Sequence, residues 1–161
     1  MKYIVYTDGS FKDTPFGPYY AGAAAIIVGD DVRPSHLIAK VGNDAIVYMQ
    51  NVAGEIIAAM SAFEYLLNVV KVKPEDSVEV RYDYAGIENW TKKKGEDNYW
   101  KAKNKTTQAY RDYVSSIVRQ RCQLTFKHIK SHTGEPGNTL VDHVCKDAID
   151  QQVARLQKEV R

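Results

Sequence analysis

The sequence predicts an α/β domain, a mixed sheet of five strands with helices packed against it. Two observations carry this. Five segments rich in β-branched and aromatic residues lie between turn signals, and the stretch after the third switches to helical spacing. A strand–helix–strand order then implies parallel pairing through a right-handed crossover, whereas the short links among the first three strands suit antiparallel hairpins.

The first strand reads from Lys2 to Thr7 and stops at Asp8-Gly9-Ser10, with a turn region from Phe11 to Pro18. Tyr20 to Val28 forms the second strand, whose small residues Ala21 to Ala25 mark a close packing partner. Ser35 to Val41 is the third, with Ala45 to Tyr48 as its continuation. Val52, Ile56, Ala59, Met60, Phe63, Leu66, Leu67 and Val70 follow helical spacing, with Asn51 as the cap and Lys73-Pro74 as the stop. Ser77 to Tyr82 alternates as the fourth strand, and a short helical piece covers Ala85 to Trp90. After a polar, basic stretch, a helix runs from Thr107 to Arg119 with Ala109, Tyr110, Tyr113, Val114 and Ile117 on its inner side. Gln123 to Ile129 is the fifth strand, with His128 as a strand residue. A final helix follows the turn Gly134 to Gly137 and carries Leu140, Val141, Val144, Cys145, Ala148, Ile149, Val153 and Leu156 inward.

A chain of 161 residues with 44% hydrophobic content suits one domain, residues 1–161, with a real core. The net charge of +2 says little about partners. Cys122 and Cys145 form no CxxC pair and imply two buried thiols in a reducing compartment. The N-terminus lacks a leader pattern, and no stretch reads as about 20 apolar residues, the length of a membrane span. A soluble cytoplasmic monomer with no membrane contact is expected.

Four acids fall where a site would be built. Asp8 and Asp83 close the first and fourth strands, and parallel neighbours would bring both to one sheet edge, where ligand sites of open α/β sheets lie. Glu55 falls in the first turn of the long helix, and Asp142 in the first turn or two of the last. Clustered carboxylates raise one another's pKa unless a cation sits among them. An all-oxygen set suits Mg²⁺ or Mn²⁺ and phosphoryl chemistry. Taken singly, the strand-end aspartates also read as turn residues, and Glu55 as a residue that complements the helix dipole.

The motifs together resemble the type 1 ribonuclease H family over nearly the whole chain. Tyr6-Thr7-Asp8-Gly9-Ser10 is similar to the family's first-strand motif, Asn51 and Glu55 to its Asn and catalytic Glu, and Tyr82-Asp83 to its fourth-strand end. His128 to Gly134, then Asn138 and Asp142, resembles the closing motif. Val52 to Ile56 with Tyr82-Asp83-Tyr84 looks more like the caulimovirus-type and bacterial branch. Tyr84, Ser131, Thr139 and Gln50 depart from common family residues, and none of these removes a metal ligand.

The resemblance implies a ribonuclease H-like fold with helices on both faces of the sheet. It implies an endonuclease that cuts the RNA strand of an RNA–DNA hybrid and leaves 5′-phosphate and 3′-hydroxyl ends. Two Mg²⁺ ions, with Mn²⁺ as a substitute, would be held by Asp8, Glu55, Asp83 and Asp142. Asp8 would bridge both ions, Asp142 would complete the site of the ion that activates water, and Glu55 and Asp83 would hold the other. Glu55 would also meet a ribose 2′-hydroxyl, and His132 would assist proton movement or product departure. From spacing alone, His132 is a surface-loop histidine.

Six lysines between Lys92 and Lys105 are interleaved with Trp90, Tyr99 and Trp100. Lysines contact phosphates without reading sequence, and aromatics stack on sugars or bases. A solvated loop whose tryptophans cover the core is the other reading. Gly9, Ser10, Gln50, Asn51, Trp90, Lys101, Lys103, Asn104 and Asn138 are the expected substrate contacts, with Asn104 resembling the family Asn that meets the DNA strand. The competing function is a catalytically silent nucleic-acid-binding module. Such modules lose one or more acids, and this chain keeps all four.

Overall fold

The computed structural model describes residues 1–130 and 134–160. The elements are β1 (Lys2–Thr14), β2 (Gly17–Val28), β3 (His36–Gly42), a 3-10 turn (Ala45–Met49), α1 (Asn51–Tyr65), β4 (Ser77–Tyr82), α2 (Gly86–Asn89), α3 (Lys105–Tyr113), α4 (Arg119–Arg121), β5 (Gln123–His128) and α5 (Pro136–Glu159). The sheet order is β3-β2-β1-β4-β5, with β3, β2 and β1 antiparallel and β1, β4 and β5 parallel. The mixed sheet, with its antiparallel first three strands and parallel β1, β4 and β5, is as the element order predicts.

Strand alternation divides the core in two. Tyr3 and Val5 of β1 join Ile56, Phe63, Tyr110 and Val114 under α1 and α3. Tyr6 joins Ala21, Ala23 and Ala25 of β2 and Val141, Cys145 and Ile149 of α5 on the other face. The alanines of β2 let both helical layers approach the sheet.

Several boundaries differ from expectation. β1 does not stop at Asp8. It continues to Thr14, pairing Thr14 with Gly17 across a two-residue hairpin at Pro15-Phe16. Cross-strand bonding outweighs the turn character of the local sequence. Ala45–Met49 is a 3-10 turn rather than strand. Gln50, at φ 58°, precedes α1, so Asn51 is its first residue rather than its cap, and Glu55 falls in the second turn. α3 passes into a wider π-turn over Val114–Val118, which shifts the phase. Tyr110, Val114 and Val118 are therefore buried, whereas Ile117 is exposed; Ala109 is exposed too. Finally, α1 with its π-turn extension, Asn51–Val70, is long and apolar enough to cross a membrane by length and composition, contrary to the sequence reading. Here its apolar side chains pack on the sheet.

Candidate active site

The site forms where β1 outruns its neighbour. Pairing of β1 with β4 runs as far as Tyr6 opposite Arg81, and β4 ends at Tyr82. Asp8 and Asp83 follow just beyond, two residues past each of the last paired positions. Strand alternation turns Asp8 to the same face as Tyr6, the face of α5. The His128 ring, at the end of β5, donates from Nε2 to the Asp83 carbonyl at 2.7 Å and fixes the backbone there.

Glu55 arrives from the opposite face. Its approach depends on glycine on both sides of the contact. A Cβ on Gly9 would collide with backbone atoms of Asn51, Gly54 and Glu55, and one on Gly54 with the backbone of Ala21. With no side chain in the way, α1 lies against the backbone of β1 and β2, and Glu55 reaches Asp8. The N-terminus of α5 is seated similarly: a Cβ on Gly137 would strike the Tyr6 ring. That seat places Asn138 and Asp142 beside Asp8.

The four acids line one cleft of about 230 Å³ with Gly9, Asn51, Asn138, Thr139 and Lys146. Asp8 and Glu55 are 8% and 3% exposed. Burial pushes the Asp8 carboxyl up to about 6, with the nearby Asp142 charge adding to the rise. The Gly9 N–H, donating to Asp8 Oδ1 at 2.9 Å, opposes it. Burial raises Glu55 well above the usual range, reinforced by the negative charges of Asp8 and Asp83. Glu55 Oε2 is buried with no hydrogen-bond partner among the described residues. Lys146 Nζ donates to Asp142 Oδ2 at 3.1 Å.

Two buried carboxyls held above their ordinary pKa, one with an orphan oxygen, describe a site short of positive charge. Its all-oxygen donors fit a hard divalent cation. Among the described residues, no group of three or more His, Cys, Asp or Glu side chains is drawn together as a ready-made metal site.

A second groove of about 760 Å³ adjoins the start of α1. Tyr84, Trp90 and Trp100 form its aromatic wall, with ring centroids 5.7 to 5.9 Å apart. Lys101, Lys103 and Asn104 also line it. Trp90 is only 7% exposed and supports the wall from the core, whereas Trp100 is 37% exposed. Trp90 thus covers the core, as one sequence reading of the tryptophans had it, while Trp100 keeps a face open to solvent. The Asn104 side chain also caps α3, accepting from the Thr107 N–H at 2.9 Å.

The expected site residues therefore divide. Asp8, Glu55, Asp83, Asp142, Gly9, Asn51 and Asn138 line the acid cleft. Trp90, Lys101, Lys103 and Asn104 line the aromatic groove. Ser10 borders a separate shallow groove with Lys12 and Asp150. Gln50 lines neither and sits at the strained entry to α1. His132 lies outside the described residues. Sequence reasoning missed Lys146, although its i,i+4 spacing from Asp142 was a signal. It also missed Tyr48, Met49 and Val52, which complete the groove.

Comparison with solved structures finds the same fold in several ribonucleases H. The N-terminal RNase H domain of Rv2228c from Mycobacterium tuberculosis superposes with a TM-score of 0.72 at 15% identity, covering 97% of this chain and 98% of that one. RNase H1 of the halophilic archaeon Halobacterium salinarum gives 0.70 at 18% identity, over 94% and 99%. LC11-RNase H1, in complex with an RNA/DNA hybrid, gives 0.64 at 22% identity, over 91% and 99%. At these identities the likeness is one of fold. Comparison with curated proteins finds no match. The RNase H family model matches residues 1–150, and the chain belongs to that family of enzymes.

Proposed function

We propose that the protein is an endonuclease that hydrolyses the RNA strand of RNA–DNA hybrids and leaves 5′-phosphate and 3′-hydroxyl ends. The observation that carries this is the convergence of Asp8, Glu55, Asp83 and Asp142 in one cleft from four separate segments of the fold. These four would hold two Mg²⁺ ions, with Mn²⁺ as a substitute. Asp8, Asp142, Glu55 and Asp83 would together supply the carboxylate oxygens that hold them. When bound, such ions prepare a water for attack and steady the leaving oxygen.

The chain's own residues account for the rest. Glu55, reached from the α1 side, meets the 2′-hydroxyl that marks the strand to be cut. Asn51 and Asn138 line the same cleft and orient the RNA backbone with their amides. The aromatic groove beside α1 takes the DNA strand, with Lys101 and Lys103 on its phosphates and the rings against its sugars. His132 assists proton movement or product departure.

The test presents hybrid, DNA duplex and RNA duplex of one sequence with Mg²⁺, and with EDTA as control. Only the RNA strand of the hybrid should be cut. Comparable cutting of the DNA duplex would make this a general nuclease of the same fold. Hybrid binding without cutting in any metal would make it a silent binding module.

A further inference from the structure

We infer that Lys146 is a built-in counter-ion that occupies the Asp142 carboxylate until a divalent cation displaces it, and that Asp150 is the seat it moves to. This rests on the metal reading above. Among the described residues, Lys146 is the one basic side chain lining the acid cleft. Its ammonium lies 3.1 Å from Asp142 Oδ2, and the side chains of lysine and aspartate are 60% and 38% exposed.

Asp142 is among the less buried of the four acids, and among the described residues it is paired with a cation of the chain itself. Asp8 and Glu55, deeper in the cleft, have no such pairing among the described residues. A lysine there relieves part of the repulsion within the anionic cluster. An exposed pair of this spacing is weak, because solvent screens it and the long side chain loses freedom. The weakness suits the role, since a divalent ion can take the carboxylate at small cost.

The place to which the lysine would go is also present. Asp142, Lys146 and Asp150 follow one another at i,i+4 spacing on one face of α5, so the ammonium has a carboxylate one turn away in either direction. Lys146 borders both the acid cleft and the shallow groove that holds Asp150. Asp150 is now paired with Lys12 of β1 at 3.2 Å, in another exposed contact that can rearrange.

The test titrates Mn²⁺ alone into the metal-free full chain by calorimetry at roughly physiological salt, where charges more than about 8 Å apart are largely screened. Lys146→Gln should bind Mn²⁺ about two- to fivefold more tightly than the natural protein, the range spanned by exposed ion pairs. Lys146→Arg should stay close to the natural affinity. Asp150→Asn should bind about twofold more weakly, because the displaced ammonium loses its second partner. Lys158→Gln, roughly 24 Å from Asp142 along the same helix, controls for general charge and should change nothing. Thermal melts without metal establish that each variant is folded. Unchanged affinity in Lys146→Gln, or an equal shift in Lys158→Gln, would overturn the inference and leave the metal reading intact. Failure of the natural protein to bind Mn²⁺ at millimolar concentration would remove both.

Discussion

Asp8 and Glu55 meet from opposite faces of the sheet, Asp8 on the face of α5 and Glu55 on the underside of α1. They can meet because β4 stops at Tyr82 while β1 runs on. Beyond that point β1 has no paired strand on the β4 side among the described residues, and the sheet no longer separates its two layers. The depth of the contact is set by Gly9 and Gly54, whose absent side chains allow helix and strand backbones to touch.

Gly54→Ala should therefore damage the site. In an exposed helix the change is favourable by about 1 kcal/mol. Here the new methyl meets the Ala21 backbone, which cannot give way as a side chain would. Overpacking of this kind costs about 1–3 kcal/mol. Urea denaturation should show the loss, and Mn²⁺ affinity should fall as Glu55 is lifted away from Asp8. A gain in stability with unchanged metal binding would contradict the contact.

Asp8→Asn should abolish cleavage and raise metal-free stability at neutral pH. The sign follows from the raised pKa. The folded protein binds the Asp8 proton more tightly than the unfolded chain does, so this group favours the fold at low pH. The contribution is lost as pH rises from about 4 through about 6. The natural protein, without metal, should lose on the order of 2 kcal/mol relative to Asp8→Asn across that interval. Saturating Mn²⁺ should stabilise the natural protein and not the variant. Denaturation curves at pH 4, 5.5 and 7 test the first part, and a difference that stays flat with pH would refute it.

The tail of β1 shows where sequence reading stopped short. Asp8-Gly9-Ser10 was legible as a site because its residue types and its place after a hydrophobic run are local. The extension to Thr14 was not, since Pro15 and Gly17 signal a turn and only pairing with β2 makes Phe11 to Thr14 a strand. Likewise, helical spacing placed Tyr110 and Val114 inward, but the π-turn that exchanges Ile117 for Val118 has no local signature. Topology alone brought Asp8 and Asp83 to one sheet edge, and the family resemblance added Glu55 and Asp142 to them. Their burial, and the glycine contact that produces it, required the packed structure.

Lys101, Lys103 and Lys105 replaced together by Ala should raise KM for the hybrid and flatten its salt dependence, with a smaller effect on kcat. Lys101 and Lys103 line the aromatic groove, and Lys105 is exposed at the start of α3. For every phosphate that no longer meets an ammonium group, the salt slope should fall by about 0.7 to 0.9. A triple variant with natural KM and slope would return this segment to the status of a solvated loop.

Asn104 has two duties, and substitutions can separate them. Its Oδ1 accepts from the Thr107 N–H at 2.9 Å, and the Asn104 N–H donates to Thr107 Oγ1 at 3.3 Å, closing a reciprocal cap on α3. The residue also lines the groove proposed for the DNA strand. Asn104→Ala removes both and should cost about 1 kcal/mol of stability along with hybrid affinity. Asn104→Ser keeps an accepting oxygen at the cap but has no amide to donate. It should melt within about 0.5 kcal/mol of the natural protein, because serine caps helices about as well as asparagine. Its KM should nevertheless rise as far as that of the alanine variant, since neither carries the amide that reaches a phosphate or sugar oxygen. If serine restores KM along with stability, Asn104 serves only the helix, and the DNA strand is held by the lysines and rings around it.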